Sequence, residues 1–242
     1  DFQIESLDAI DGLFKQADNA YGQLKQILPP SERFEAPNTI DFLKTKADEL
    51  GGVKELPPKL RSMFASLSPR TSEAGEVINP TLGKIDQVRR EIGQAIGKGS
   101  GNFKDVETGL NKALYARLTR DQDLIAENIG GDALAVSDTA KSLVIQRKQL
   151  EDNVQFLLGK DLNKSLNVTV SGAIKNLSKG EVEKFADIMN AIPLHRRGEV
   201  VMSAMNDVFK GSGVNQQSLN PTQFVKWYQT INRSPAAKRV LF

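Results

Sequence analysis

The chain has 242 residues with no cysteine and a single histidine, His195. That composition excludes disulfides, thiol catalysis, iron–sulfur clusters and sites needing two histidines. With hydrophobic residues at 39% and charged residues at 26% it is neither a disordered polyampholyte nor a membrane protein, and the net charge of +2 conceals an acidic front and a basic tail. Residues 1–50 hold five Lys/Arg against ten Asp/Glu, while residues 201–242 hold five against one. A charge gradient of this kind suits head-to-tail docking or contact with an anionic surface; ordinary solvated helix faces produce it too.

The chain opens at Asp1 with no basic region ahead of an apolar stretch, so no signal peptide is expected; the opening reads as a piece of something longer. Leu7, Ile10, Phe14, Ala17, Tyr21, Leu24 and Leu28 recur at steps of three and four. They predict a first helix, with Ser6 as its N-cap and Pro29-Pro30 as its stop. Leu13, Ala20 and Ile27 widen the stripe beyond a coiled-coil seam. One such helix cannot bury its stripe alone. The stripe must lie against the short helices of residues 38–67, against the main domain or against another chain, and Leu7, Phe14, Tyr21 and Leu24 are expected to contact another chain or a neighbouring domain.

A second helix follows, capped by Asn38 or Thr39 and ended by Gly51-Gly52. A short one starts at Pro57-Pro58. The small polar residues 68–75 suggest a boundary, dividing an N-terminal helical arm (1–67) from a main helical domain (76–242). Asn79-Pro80 predicts a helix start, and Leu82, Ile85, Val88, Ile92 and Ile96 its stripe. GKGSG (97–101) reads as a turn. Phe103 to Leu114 and Arg120 to Ile129 read as two helices, and Ser137 as the cap of a long one reaching Gly159. LNVTV (166–170) has strand-like composition without a partner strand, so the region reads as helix with a break near Gly172. Ser178 and Glu181 form a capping box. Pro193 separates two further helices, and GSGVNQQS (211–218) is a loop. Asn220-Pro221 and Ser234-Pro235 open the last two helices. No alternation is sustained, so the fold is expected to be all-α: a multi-helix bundle of about eight to ten helices, compatible with an elongated shape.

The search for chemistry returns little. GKGSG has the ingredients of a phosphate loop in the wrong order and without a preceding strand. His195 has no nucleophile elbow to serve and reads as a surface or capping residue, with Glu199 as a helical neighbour. His195-Arg196-Arg197 could instead form a small anion patch. The carboxylate pairs, Asp105/Glu107, Asp121/Asp123, Glu151/Asp152 and Glu181/Glu183, are local and do not face each other. Asp121-Gln122-Asp123 starts like a calcium loop but lacks its glycine and distant glutamate. These acids read as solvated helix residues. The basic set Lys210, Lys226, Arg233, Lys238 and Arg239, with Trp227 and Tyr228 interleaved, resembles a base-stacking surface. Phe224, Trp227, Tyr228 and Ile231, however, fall at core-stripe spacing. Arg196, Arg197, Lys226, Arg233, Lys238 and Arg239 are the candidates for anion or nucleic-acid contact. No catalytic residue, cofactor or metal ligand is assigned, and no enzyme activity is expected.

The run NPTLGKIDQVRREIGQAIGKGSGNFKDVETGLNKALYARLTRDQD (79–123), with NPTQFVKWYQTINRSPAAKRVL (220–241), resembles helical segments inside very large bacteriophage internal virion or DNA-ejection proteins. Some of those carry a lytic transglycosylase domain elsewhere in the chain. The resemblance covers roughly residues 75–242 and includes no catalytic signature: no position shows the glutamate–serine pair of that enzyme class in a glycosidase-like setting. It implies a structural, interaction-mediating domain carried in the virion and then delivered into the bacterial host cell, with other protein chains or domains of the assembly as partners and DNA as a further one. On this reading the chain is an oligomer or part of a larger chain and has no membrane span. The alternatives are an accessory helical region of a phage muralytic protein whose active site lies outside this chain, or a nucleic-acid-binding module using the basic C-terminus.

Overall fold

The computed structural model describes residues 2–97, 106–210 and 220–241. Phe103, Asp105, most of the 97–101 turn and the 211–218 loop lie outside these residues. The fold is all-α. The helices are α1 (Phe2–Gly22), the single turn α2 (Leu24–Ile27), α3 (Pro37–Leu50), α4 (Pro58–Leu67), α5 (Leu82–Gly97), α6 (Val106–Ile129), α7 (Gly131–Leu158), α8 (Leu166–Leu177), α9 (Val182–Ala191), α10 (Leu194–Val208), α11 (Pro221–Asn232) and α12 (Pro235–Leu241). Strand structure among the described residues is a two-residue hairpin. In it β1 (Arg70–Thr71) pairs antiparallel with β2 (Val77–Ile78), Arg70 opposite Ile78.

Two compact units divide the chain, Leu7–Lys148 and Asp1–Ser6 with Gln149–Phe242. The expected boundary at 68–75 is not where the division falls; part of that segment forms β1 and the turn of the hairpin, where Gly75 takes φ 82°. Nor do residues 1–67 form a separate arm. Phe14, Leu28, Leu43 and Leu67 share one core with Leu82, Ile85, Leu114 and Leu118. The first helix therefore buries Phe14 in the core shared with α5 and α6, and Ala20 and Tyr21 beside Ala140 of α7. Each such leucine, fully withdrawn from water, contributes about 1.5–3 kcal/mol.

Local signals decide several ends. Gly51 closes α3 at φ 97°, a conformation that side chains resist. The Asn220 side chain accepts from the Gln223 N–H at 3.2 Å, and Ser234 Oγ from the Ala237 N–H at 3.2 Å. Other expected caps are not used as such. Helix α1 already runs from Phe2, which leaves Ser6 buried inside it. Ser137 lies within α7, which starts six residues earlier at Gly131. Ser178 turns back to donate to the Lys175 carbonyl at 2.9 Å, and α9 begins at Val182 without a side-chain cap. The start expected at Asn79-Pro80 shifts to Thr81, whose Oγ1 accepts from the Lys84 N–H at 3.2 Å. The first amide groups of α5 are held from a distance: Leu82 N–H donates to the Glu32 carbonyl (2.7 Å) and Gly83 N–H to that of Pro30 (2.9 Å). Residues 106–129 form one helix rather than two, and α8 runs through Gly172 unbroken.

In the second unit α8 packs along α10 and against α9, and α12 against α9 and α11. The Trp227 indole N–H donates to the buried Ile174 carbonyl at 2.9 Å. Phe209 meets the rings of Phe224 and Trp227 edge-on at 5.4 and 5.3 Å, as aromatic quadrupoles favour.

Candidate functional site

The chemistry-bearing residues of the Leu7–Lys148 unit converge on Arg89 of α5, which is wholly buried. Its periodicity explains why: Ile85, Arg89, Ile92 and Ile96 step by four, three and four along the apolar stripe. The guanidinium donates through Nη2 to Asp86 Oδ1 at 2.7 Å, through Nη1 to the Asp18 carboxylate of α1, and through Nη1 to the Tyr115 hydroxyl of α6 at 3.1 Å. It lies 5.6 Å from the ring centre of Tyr21 and 5.8 Å from that of Tyr115. Tyr115 completes the triangle by donating to Asp18 Oδ1 at 3.1 Å. Asp86, equally buried, also meets Lys25 and, at 3.1 Å, Arg90.

A planar, permanently charged fork suits this role because it spans several acceptors at once. The electrostatics match. Burial alone would raise the Asp86 carboxyl, but hydrogen bonding from Lys25 and the charge of Arg89 hold it below the ordinary carboxylate range. Burial pushes the Tyr115 phenol up, against the pull of Arg89. The cluster is charge-compensated, and its geometry ties three helices together.

A second polar run radiates from α6. Asp121, Gln122 and Asp123 are consecutive and all buried, so the expectation of solvated acids does not hold for this pair, whereas Asp152, Glu181 and Glu183 are exposed. The Asp121 carboxylate accepts from the N–H and side-chain amide of Asn38 (2.8 and 2.9 Å) and from the N–H and hydroxyl of Thr39 (3.0 and 2.6 Å). Gln122 donates to Asp86 at 3.4 Å, and Asp123 accepts from the Ser137 hydroxyl at 2.5 Å. Burial raises the Asp123 carboxyl, opposed by the Ser137 hydrogen bond. These roles were legible in part. Leu114, Leu118, Asp121 and Ile125 keep the stripe spacing, so Asp121 had to point inward; its partner 82 residues away had no signature.

A shallow cleft of about 510 Å³ lies over Asp18, lined by Asp11, Phe14, Lys15, Asn19, Gly93 and Gln94. Lys15 pairs with Asp11 at 2.6 Å on its rim. Gly93 lets α5 approach closely: a Cβ there would sit 3.1 Å from the Tyr115 ring and 3.3 Å from that of Phe14. Among the described residues no group of three or more His, Asp or Glu side chains is placed to hold a metal.

The four residues expected to contact a partner are otherwise engaged. Phe14, Tyr21 and Leu24 are core residues, with Phe14 5.3 Å from the Tyr115 ring, and Leu7 is half-buried. Phe14, Tyr21 and Leu24 pack within their own unit, against parts of the chain that include α5, α6 and α7. The anion-contact set divides. Arg196 is paired with Glu5 and, at 2.9 Å, with Glu199. Arg197 donates to the Ile192 carbonyl at 2.9 Å, closing the end of α9. Arg196 is thus charge-paired, while Arg197 is held by neutral carbonyl oxygens and keeps its charge. His195 is exposed, its Nε2 3.7 Å from Glu5. Lys226, Arg233, Lys238 and Arg239 stand exposed on α11, its C-cap and α12. Trp227 and Ile231 are buried beneath them, and Phe224 is half-buried; Tyr228 remains exposed. Among the described residues no helix is long and apolar enough to cross a membrane.

No protein-family model, curated protein or solved structure matches this chain.

Proposed function

We propose that the chain is a non-enzymatic structural and interaction module of a large phage virion-associated protein, assembled around DNA or delivered with it into the bacterial host. The observation that carries the reading is the use made of the buried polar groups. Arg89, Asp86 and Asp121 each join one helix to another through hydrogen bonds or ion pairs. Buried groups arranged for proton transfer instead face a space that a substrate can enter, whereas Arg89, Asp86 and Asp121 do not line the cleft over Asp18. The likeness of residues 79–123 and 220–241 to internal virion proteins supports the placement in a particle.

Two measurements test the proposal. Mass spectrometry of purified particles of the phage that encodes the chain should find its peptides, and the purified chain should release no soluble fragments from peptidoglycan. Absence from particles overturns the placement. Release that is lost when one named acid becomes its amide overturns the non-enzymatic reading.

A further inference from the structure

Thr222, Lys226, Gln229 and Arg233 follow one another at steps of four, three and four along α11 and its C-cap, and all four are exposed. That spacing places them on one face of a helix. Lys226 and Arg233 are separated by two turns, about 10 Å of rise. The face is fixed, because Trp227 and Ile231 are buried on another side of the helix and the Trp227 indole is anchored to Ile174. Helix α12, which packs on α11, adds Lys238 and Arg239 in its last turn, both exposed.

The neighbourhood is cationic as a whole. No Asp or Glu occurs after Asp207. Helix α9 packs on α12 and brings Glu183 and Asp187 with Lys184; α8, which accepts the Trp227 hydrogen bond, brings Lys175. These four helices with the Arg233 and Glu181 caps carry six cations and three carboxylates, and Lys184 is paired with Glu181 at 3.5 Å. Among the described residues the side chains of Lys226, Arg233, Lys238 and Arg239 have no hydrogen-bonding or ion-pair partner.

We propose that this face of α11 and α12 binds the sugar-phosphate backbone of a nucleic acid without reading its sequence. Cations that stay unpaired on a surface of one sign attract a polyanion through release of its counterions. The uncharged members of the stripe select the class of polyanion. Thr222 and Gln229 are hydrogen-bond donors suited to phosphate and sugar oxygens. A helix that settles on an anionic membrane instead places several large apolar side chains beside its cations, to enter the acyl boundary; the Thr222–Arg233 stripe itself has none, and beside it on α11 Val225 and Tyr228 are the exposed large apolar side chains among the described residues.

The test uses the 242-residue chain and fluorescence anisotropy of labelled single-stranded and duplex DNA, each about 30 nucleotides or base pairs long, between about 50 and about 200 mM salt. Binding to at least one probe should fall steeply with salt. Lys226→Glu with Arg233→Glu should weaken it by about tenfold or more and lower the salt slope by about two. Lys238→Glu with Arg239→Glu, a second and independent variant, should act in the same direction. Lys226→Arg with Arg233→Lys, which keeps the charges, should bind as wild type. So should Lys44→Glu with Lys59→Glu, which reverses two exposed cations of the other unit. Circular dichroism confirms that each variant keeps its helices, and a variant that does not is replaced by the other pair. The proposal is overturned by absence of binding at about 50 mM salt, by equal loss in the Lys44/Lys59 control, by indifference to both α11 and α12 reversals, or by binding to phosphatidylserine vesicles alone.

Discussion

The carboxylate of Asp121 caps a helix 82 residues away: it accepts from the Thr39 backbone N–H at 3.0 Å and from the Thr39 hydroxyl at 2.6 Å. Helix α3 has no side-chain cap of its own, and its N-cap position is Ala36. The first amides of a helix have no partner within it, and a carboxylate at that end also meets the positive pole of the helix dipole.

Replacing Asp121 by Ala should cost about 2–4 kcal/mol, since it leaves several buried donors of α3 unsatisfied. Asp121→Asn keeps one acceptor oxygen and should cost less. Urea unfolding followed by circular dichroism measures both. Equal stability of Asp121→Ala and wild type would show that water replaces the carboxylate without loss.

Arg89→Leu should destabilise by about 3–5 kcal/mol, because it takes from the buried Asp86 its buried partner, leaving Lys25 and Arg90, and removes the donor shared by Asp18 and Tyr115. Arg89→Leu combined with Asp86→Leu should recover part of that loss, since the pair is then replaced by apolar volume. Arg89→Lys should fail to substitute: a single ammonium cannot reach Asp18, Asp86 and Tyr115 from one position. A double-mutant cycle on the unfolding free energies decides the matter, and a coupling near zero would remove Arg89 from its structural role.

Acid dependence follows from two buried carboxyls shifted in opposite directions. Asp86 is held below the ordinary carboxylate range when folded. Its contribution is therefore present above the unfolded pKa and lost as the pH falls through the folded one. Wild type should lose stability on acidification below that ordinary range, and Asp86→Asn, less stable throughout, should show a flatter acid limb. Asp123 is raised by burial, so its contribution is full below the unfolded pKa and lost as the pH rises through the folded one. Asp123→Asn retains an acceptor for Ser137 and should be at least as stable as wild type at neutral pH. A clear loss there would mean that the charged form is needed.

Two glycines should answer alanine in opposite senses. Gly93→Ala places a Cβ against the rings of Tyr115 and Phe14, and forcing α5 outward should cost about 1–3 kcal/mol, more than the gain in helix propensity. Gly172 lies exposed within α8 with nothing within 4 Å of an added Cβ. Gly172→Ala should stabilise by about 0.5–1 kcal/mol. Thermal unfolding of the two variants gives the comparison, and the same sign for both would contradict the close approach at Gly93.

What the amino-acid order determined by itself is what depends on near neighbours. Apolar spacing made the chain helical, Pro29-Pro30 and Gly51-Gly52 ended elements, and Asn220 and Ser234 capped the helices that follow them, since a cap reaches only two or three residues. The places of Arg89 and Asp121 on apolar stripes carry a signal that they point inward, although local rules read Asp121 as a solvated acid. Tertiary structure alone decided what they meet there. Thr39 and Asp121, or Asp18 and Arg89, are brought together by packing, and no local spacing encodes a partner 82 or 71 residues away. The same packing put Phe14, Tyr21 and Leu24 in the core instead of on a contact surface. It also buried Ser6 and Ser137, which local rules read as caps, because desolvation within a folded unit outweighs a single capping hydrogen bond. On α11 it left Lys226 and Arg233 outward by turning Trp227 in, a choice that the stripe of Phe224, Trp227 and Ile231 had already foreshadowed.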